Sequence, residues 1–516
     1  MKPAAHDFSV VAVDRFIQAT RDSGYKGTSS AVAELIDNAL QAGATEIKVA
    51  LASDGDDEHP ITLRVIDNGS GMDPRTLRTA LRFGGSTRFN DRGGLGRYGM
   101  GLPNSSLSQA QRVTVHTWGS KHGQVLESYL DLDEIAKGRL TEVPKPGRVA
   151  RPTFVNGYES GTVVTWSRCD RLDARRVSTL ERKLAVSLGR RFRHFLWSGV
   201  AISMNGERIR PIDPLFLHED ALLNGATEFA TLEREVAVVP GDPSTTGVVR
   251  IKFSELPVAD WSKLSNQEKR ARGVAKGAGV SIVRALREVD YGWFFLGGKR
   301  RENYDDWWRC EIQFDPLLDE AFGITHTKQQ IRPRPDLVEA LTGDMENTAR
   351  ALNNRARKAH LSVKMSERFS SSEDCATEKD DRLTPLPSGP RPRDKVVLQG
   401  LKKELKQRAH VDRADEGGAV YRIIPKALND TCFFDYARTE GTLILVLNPD
   451  HPFYKFVYKP LLESDDHRDV ALRTSVDLLL LAAARAEARL EEKDDIKVAE
   501  QLRADWSDTL ATFLNR

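Results

Sequence analysis

Apolar and polar positions along this chain repeat with two different periods, and their order predicts an α+β protein. Residues 8–24 read as a short helix that leads into the polar turn Gly24-Tyr25-Lys26-Gly27-Thr28-Ser29-Ser30. A second helix is expected from about Ala31 to Ala42, with Ser29 or Ser30 as its N-cap. Ile47 to Leu51 and Ile61 to Ile66 read as strands separated by an acidic turn. A glycine-rich stretch then runs from Asp67 to Gly101, and strands resume at Val113 to Thr117 and Gly161 to Trp166. Helices interleaved with one sheet in this way predict an α/β sandwich of roughly 170–200 residues.

Further along, a densely basic helix near Val177 to Phe195 carries Leu180, Leu184, Leu188 and Phe192 at near-helical spacing. It leads into a second α/β unit reaching about Leu341, followed by a helix over 342–365. Ser366 to Lys395 is rich in Ser, Pro and charge and poor in large apolar residues, and reads as a linker. Tyr421 to Ile424 and Leu443 to Leu447 then read as strands, and long helices close the chain at roughly 467–493 and 495–515. The last helix repeats Val498, Leu502, Trp506, Leu510 and Phe513–Leu514 as a one-sided apolar stripe. No internal repeat is visible.

Length and composition narrow this picture only slightly. At 516 residues, two to four domains are expected. Apolar residues make up 40% and charged residues 29%, as in soluble globular proteins, and the formal charge of +2 does not by itself suggest a nucleic-acid binder. The start, Met1-Lys2-Pro3-Ala4-Ala5-His6-Asp7, leads into no long apolar stretch, so no signal peptide is expected. The most apolar segment, Val476 to Ala484, is short and contains Asp477, so no membrane span is expected. Cys169, Cys310, Cys375 and Cys432 lie far apart, which argues against a zinc or redox motif and fits a reducing cytoplasm.

Four short motifs carry candidate chemistry. In Glu34-Leu35-Ile36-Asp37-Asn38-Ala39, Glu34 and Asn38 are four apart and project from one helix face. Glu34 there could orient and deprotonate a water, and Asn38 could present its carbonyl oxygen to Mg²⁺, while Asp37 points aside and supports them. A solvated amphipathic face would carry the same pair. Asp67-Asn68-Gly69-Ser70-Gly71-Met72 follows a β-branched strand, where an aspartate can accept a hydrogen bond from an exocyclic amine and glycines let backbone approach a base. The alternative is a plain turn, but its spacing from the Glu34 helix is one β-hairpin.

Gly93-Gly94-Leu95-Gly96-Arg97-Tyr98-Gly99-Met100-Gly101 can turn successive N–H groups toward an anion, and a helix starting near Gly101 adds its positive end. It lacks the Gly-Lys-Ser/Thr of a Walker loop and does not follow the first strand of a Rossmann unit. The preceding Phe83-Gly84-Gly85-Ser86-Thr87 reads as part of a mobile lid. Last, Gly161-Thr162 opens a strand and can set a hydroxyl beside Asp67 or beside a base bound there.

Taken together, Glu-x-x-x-Asn, Asp-x-Gly-x-Gly, Gly-x-x-Gly-x-Gly and Gly-Thr resemble, over residues 28–170, the Bergerat nucleotide-binding fold of the gyrase, heat-shock-chaperone, histidine-kinase and MutL (GHKL) superfamily. The resemblance implies ATP with Mg²⁺ and hydrolysis, slow in many members. It places Asp67 on the adenine amine and Asn38 on Mg²⁺. Gly94, Gly96, Arg97, Tyr98, Gly99, Met100 and Gly101 fall around the phosphates, and Gly69, Gly71, Met72 and Thr162 beside the base. Glu34 fits the ATPase branches rather than the histidine kinases. Ala33 to Ala39 and Asp67 to Met72 are similar to the wording of MORC ATPases, and Gln41-Ala42-Gly43-Ala44 to that of MutL. Phe322-Gly323-Ile324-Thr325-His326-Thr327-Lys328-Gln329 resembles the MORC transducer loop, which puts Lys328 on the γ-phosphate as a second catalytic group. Gly279 to Val289 resembles the same region of bacterial chaperone-like and MORC-like ATPases. No Cys-rich zinc module, extended coiled coil or nuclease cluster accompanies these motifs.

The expected organisation is a nucleotide-binding domain over 1–172, a transducer-like domain with a ribosomal-S5-like fold over 173–365, a linker over 366–395 and a helix-ending C-terminal α/β domain over 396–516. Three functions fit. One is a cytoplasmic homodimeric clamp closed by ATP, and another is an ATP-gated sensor recruiting a protein partner. The third is a DNA-acting machine using Arg175, Arg176, Arg182, Lys183, Arg190, Arg191, Arg193 and Lys299-Arg300-Arg301.

Overall fold

The computed structural model describes residues 13–25, 27–53, 58–85, 101–119, 124–152, 157–324, 330–387, 389–401, 405, 420–439 and 441–515. They form two compact units, one running up to Pro257 and resuming over Leu264–Asn354, the other comprising Val258–Lys263 and the residues from Arg355 onward.

The first unit contains two sheets. Its larger sheet has eight strands: β1 (Glu46–Ser53), β2 (Ile61–Asp67), β3 (Ala110–Trp118), β4 (Val125–Asp131), β5 (Gly147–Val149), β6 (Gly161–Cys169), β7 (Ala201–Met204) and β8 (Glu207–Arg208). They lie in the order β5-β4-β3-β6-β2-β1-β7-β8, antiparallel except where β7 runs parallel to β1. Helices α1 (Val13–Ser23), α2 (Thr28–Gln41), α3 (Pro74–Leu81), α4 (Gly101–Leu107), α5 (Leu132–Ala136), α6 (Val177–Arg191) and α7 (Arg193–Trp197) accompany it. Alternation along the strands divides the sheet's faces. Leu63, Val65, Val115 and Val164 join Val32, Leu35, Ile36, Leu180, Leu184 and Leu188 of α2 and α6 in the main core. Ile66, Val163 and Trp118 pack in a small cluster of their own.

Two local expectations are corrected here. Helix α2 starts at Thr28, earlier than expected, and its N-cap is Gly27 rather than Ser29 or Ser30. The Thr28 N–H is taken instead by the Asp173 carboxylate at 2.9 Å, while the Asp173 N–H donates back to Thr28 Oγ1 at 2.9 Å. A cap supplied from so far along the chain leaves no mark near the helix. The helix expected to run to Phe195 breaks at Phe192 into α6 and α7.

The second sheet comprises β9 (Thr227–Val239), β10 (Asp242–Glu255), β11 (Val280–Arg284), β12 (Arg287–Gly292) and β13 (Trp308–Phe314) in the order β12-β11-β13-β10-β9. Its core takes Leu337, Leu341, Met345, Ala349 and Leu352 from a long helix. That helix closes a helical series of α8 (Val258–Trp261), α9 (Asn266–Ala271), α10 (Asp319–Phe322) and α11 (Pro335–Lys379). In the second unit, β14 (Val420–Pro425), β15 (Phe434–Thr439) and β16 (Thr442–Leu447) form a sheet in the order β14-β16-β15, with α12 (Pro392–Gly400) and the helices His467–Ala488 and Lys493–Leu514.

The stretch 366–395, expected as a linker, is helical through Lys379 and again from Pro392. Its polar residues serve as buried partners. Phe369 and Ser372 are fully buried, Ser372 Oγ donates to Asp477 at 2.6 Å, and Glu373 accepts the Ile423 N–H at 2.8 Å. Among the described residues no helix is long and apolar enough to cross a membrane.

Candidate nucleotide site

Pairing in the central sheet sets the site's floor. Asp67 ends β2 directly opposite Thr162 of β6, and Thr162 in turn stands opposite Thr117 of β3. Side chains directly opposite share a face, and two residues back on each strand Val65, Val164 and Val115 lie in the core under α2. Asp67, Thr117 and Thr162 therefore stand on the helix-covered face, at one end of it.

Asp67 is 6% exposed. Its Oδ1 accepts the Gly69 N–H at 2.8 Å, and the Thr162 N–H also reaches the carboxylate. Burial pushes its pKa up to about 6, against the pull of those two backbone donors. The Thr162 hydroxyl meets Thr117 Oγ1 at 3.2 Å, while the Thr162 backbone N–H is what reaches the Asp67 carboxylate. Thr117 is a residue that the motifs did not single out: its hydroxyl accepts the Met72 N–H at 2.9 Å and donates to the Gly161 carbonyl at 3.1 Å. This fastens the Asp67–Met72 turn onto the sheet.

The turn demands its glycines. Gly71 has φ +69°, and a Cβ there would collide with the Trp118 carbonyl oxygen. A Cβ on Gly69 would lie 2.8 Å from Ala42 Cβ and 2.9 Å from Asp67 Oδ1. Ala42 follows the last turn of α2, and its carbonyl accepts the Ser70 N–H at 3.0 Å. The second motif thus touches the end of the helix that carries the first. Asn68 braces the same corner, its Oδ1 accepting the Thr45 and Glu46 N–H groups at 2.9 Å each.

On α2, Glu34 is 4% exposed and Asn38, one turn on, is half-buried. Gly101, the first residue of α4, lies so close to Glu34 that any Cβ there would run into the carboxylate, which joins the third motif to the first. The buried Tyr25 hydroxyl hydrogen-bonds Glu34, and burial together with the neighbouring Glu34 and Asp37 charges pushes the phenol well above its ordinary value. Asp37 is fully buried, and Arg287 Nε of β12 faces it at 3.3 Å. Neither Tyr25 nor Arg287 was anticipated. Tyr25 lay unremarked in a turn, and Arg287 lies in another sheet with no sequence signal tying it to Asp37. Gly94, Gly96, Arg97, Tyr98, Gly99, Met100 and Lys328 lie outside the described residues.

Part of the basic stretch read as a DNA surface is internal. Arg193 is fully buried between Glu288, at 3.0 Å, and Glu311. Arg190 meets Glu288 at 3.0 Å, and Arg191 donates to Ser30 Oγ of α2 at 3.1 Å. Lys299 is buried against Asp305 at 2.6 Å. Arg175, Arg176, Arg182, Lys183, Arg300 and Arg301 remain exposed.

The sequence family described as Histidine kinase-, DNA gyrase B-, and HSP90-like ATPase matches residues 25–162, the segment that carries all four motifs. This bears out the resemblance drawn from their wording and order. Among similar proteins, the DNA mismatch repair protein MutL of Sinorhizobium fredii is 30% identical over 166 residues, 31% of this chain and 26% of that protein. Protein MICRORCHIDIA 6 of Arabidopsis thaliana is 35% identical over 109 residues, 20% of this chain and 16% of that protein. The chain thus spans about a quarter or less of the length of these relatives. A solved N-terminal domain of a DNA repair protein aligns with 65% of this chain and 98% of its own, at 16% identity and a TM-score of 0.41, a likeness too weak to bear on the fold.

Proposed function

We propose that the α2–Asp67–Thr162 site binds ATP with Mg²⁺ and hydrolyses it. The observation that carries this reading is Asp67, a buried carboxylate that accepts only backbone N–H groups and has no cationic partner among the described residues. A carboxylate in that setting is costly until a further donor reaches it, and an adenine amine is such a donor. The glycines at 69, 71 and 101 let the turn and the start of α4 pack directly against Ala42, Trp118 and Glu34, which brings backbone N–H groups close to Asp67 and Glu34.

Glu34 is the proposed general base. Its carboxylate is oriented by the Tyr25 hydroxyl and shielded from bulk water, and it takes a proton from the attacking water. Asn38 presents its carbonyl oxygen to Mg²⁺, which when bound supplies positive charge to the phosphate oxygens. Gly94, Gly96, Arg97, Tyr98, Gly99, Met100 and Gly101 are proposed to cradle the phosphates, and Lys328, which follows α10 in the chain, to contact the γ-phosphate.

The cycle is proposed to open and close a cytoplasmic homodimer. Val498, Leu502, Trp506 and Phe513 on the last helix are 68%, 68%, 42% and 79% exposed, an apolar face suited to a second copy. The names of the MutL relatives make DNA the proposed client, contacted by the exposed basic residues. Calorimetric titration with a nonhydrolysable ATP analogue tests the site. Wild type is expected to bind one equivalent, Asp67→Ala to lose binding, and Asn38→Ala to lose the Mg²⁺ dependence. No binding by wild type would contradict the assignment.

A further inference from the structure

A cavity of about 430 Å³ opens in the first unit, walled by the end of α6, the loop after β8, the loop after α9 and strand β12. Five of its lining side chains are cationic: Arg190, Arg270, Arg272, Lys276 and Arg309. The acidic one, Asp213, has its carboxylate taken up by the Leu215, Leu217 and His218 N–H groups at 2.7–2.9 Å.

This wall is built rather than incidental. Arg309 is 1% exposed and spends its donors on backbone, reaching the Gly273 carbonyl at 2.6 Å, Val274 at 2.9 Å, Trp308 at 2.7 Å and Asp306 at 3.0 Å. It forms no ion pair among the described residues, and burial pulls its pKa down. The Tyr291 hydroxyl pins the same loop at the Gly277 carbonyl, while the Arg190 guanidinium lies 3.5 Å over the Tyr291 ring. Lys276 is held at φ +61°, its N–H on Asp306 Oδ2 at 3.0 Å. Arg190 is paired with Glu288 at 3.0 Å and Arg272 with Glu268 at 3.8 Å, whereas Arg270, Lys276 and Arg309 form no ion pair among the described residues, so the void keeps a surplus of positive charge that an anion would offset.

We propose that this cavity is a second ligand site, distinct from the nucleotide site, that takes phosphate groups. Arg272 and Lys276, on the fixed loop, make the first charge-assisted contacts, and Arg309 contributes positive potential from behind. The site stands independently of the nucleotide reading, because none of its cations belongs to the four motifs. Two sources carry the same chemistry: a small free phosphate compound and a nucleic-acid backbone.

The test is calorimetric titration of the full chain with inorganic pyrophosphate, wild type against Arg272→Glu/Lys276→Glu, with thermal melting to verify folding. Binding by wild type that falls on the order of tenfold or more in the double variant is the expected result. Arg272→Gln/Lys276→Gln should give a smaller loss and covers the case in which charge reversal unfolds the loop. Fluorescence anisotropy with a short DNA duplex separates the sources. Parallel loss of duplex binding assigns the backbone, and retained duplex binding assigns a free phosphate compound. Pyrophosphate binding that is absent in wild type, or equal in wild type and both variants, would overturn the proposal.

Discussion

At Asp67 two opposing effects meet, and they set the pH behaviour expected of the site. Burial raises the carboxyl from its ordinary 3.8 to about 6 in the folded protein. Its ionised form is thus less favourable folded than unfolded, so this residue withdraws stability as pH rises from about 4 to about 6. Ligand binding runs the other way, because the ionised carboxylate accepts an amine's hydrogen bond more strongly than the protonated acid does. Nucleotide affinity is expected to be constant above pH 7 and to fall by up to about tenfold per unit below pH 6. Titrations from pH 5 to 8 should show this slope in wild type and lose it in Asp67→Asn, whose binding is weak throughout. A flat profile in wild type would remove Asp67 from the base-binding role.

Among the elements, α2 carries the largest share of the argument, because both faces of its buried half are committed. Toward the proposed nucleotide side stand Glu34 and Asn38, while Asp37 meets Arg287 of the second sheet and Ser30 meets Arg191 of α6. Burial, with the Arg287 charge close by, pulls the Arg191 pKa down to about 10. Asp37→Ala removes the carboxylate facing a buried guanidinium and is expected to cost about 3–5 kcal/mol in urea denaturation. Asp37→Asn/Arg287→Gln removes both charges and should recover most of that stability. If the pair positions α2, the double variant turns over ATP at least about tenfold more slowly at unchanged nucleotide affinity, a loss of ~1.4 kcal/mol of transition-state stabilisation. Wild-type turnover in that variant would reduce the pair to a packing feature.

These same elements mark what was legible in the chain. The strands at 47–51, 61–66, 113–117 and 161–166 and the stripe on α6 follow from local periodicity, and β1, β2, β3, β6 and α6 stand there. Gly69 and Gly71 were readable as close-approach positions because a glycine within a short motif carries its own steric reason, while the roles of Asp67 and Glu34 stay proposals. The Asp173 cap, Thr117, Tyr25 and Arg287 were not, since each acts on a residue brought near only by the fold. Arg193 misled for the opposite reason. In sequence it belongs to a basic run, and only the second sheet supplies the Glu288 and Glu311 that bury it. Strand β15, Phe434–Thr439, was overlooked because Asp435 and Arg438 place a charge on each of its two faces.

For the whole molecule, the exposed stripe on the last helix bears on assembly. Leu502 and Phe513 are 68% and 79% exposed, and Trp506 packs only one edge against Phe433 and Phe434. Sedimentation is expected to give a dimer that Leu502→Asp/Phe513→Asp converts to monomer, with little change in melting temperature because neither side chain is buried. A monomer in wild type, with and without nucleotide, would end the clamp proposal while leaving the nucleotide site intact. The central claim rests on that site, and Mg²⁺-dependent ATP hydrolysis by purified wild type, Glu34→Ala and Asp67→Asn tests it most directly. Slow turnover is expected in wild type, on the order of 10²–10⁴-fold less in Glu34→Ala with ATP still bound, and only weak binding with no turnover in Asp67→Asn. Equal hydrolysis by wild type and Glu34→Ala would contradict the account.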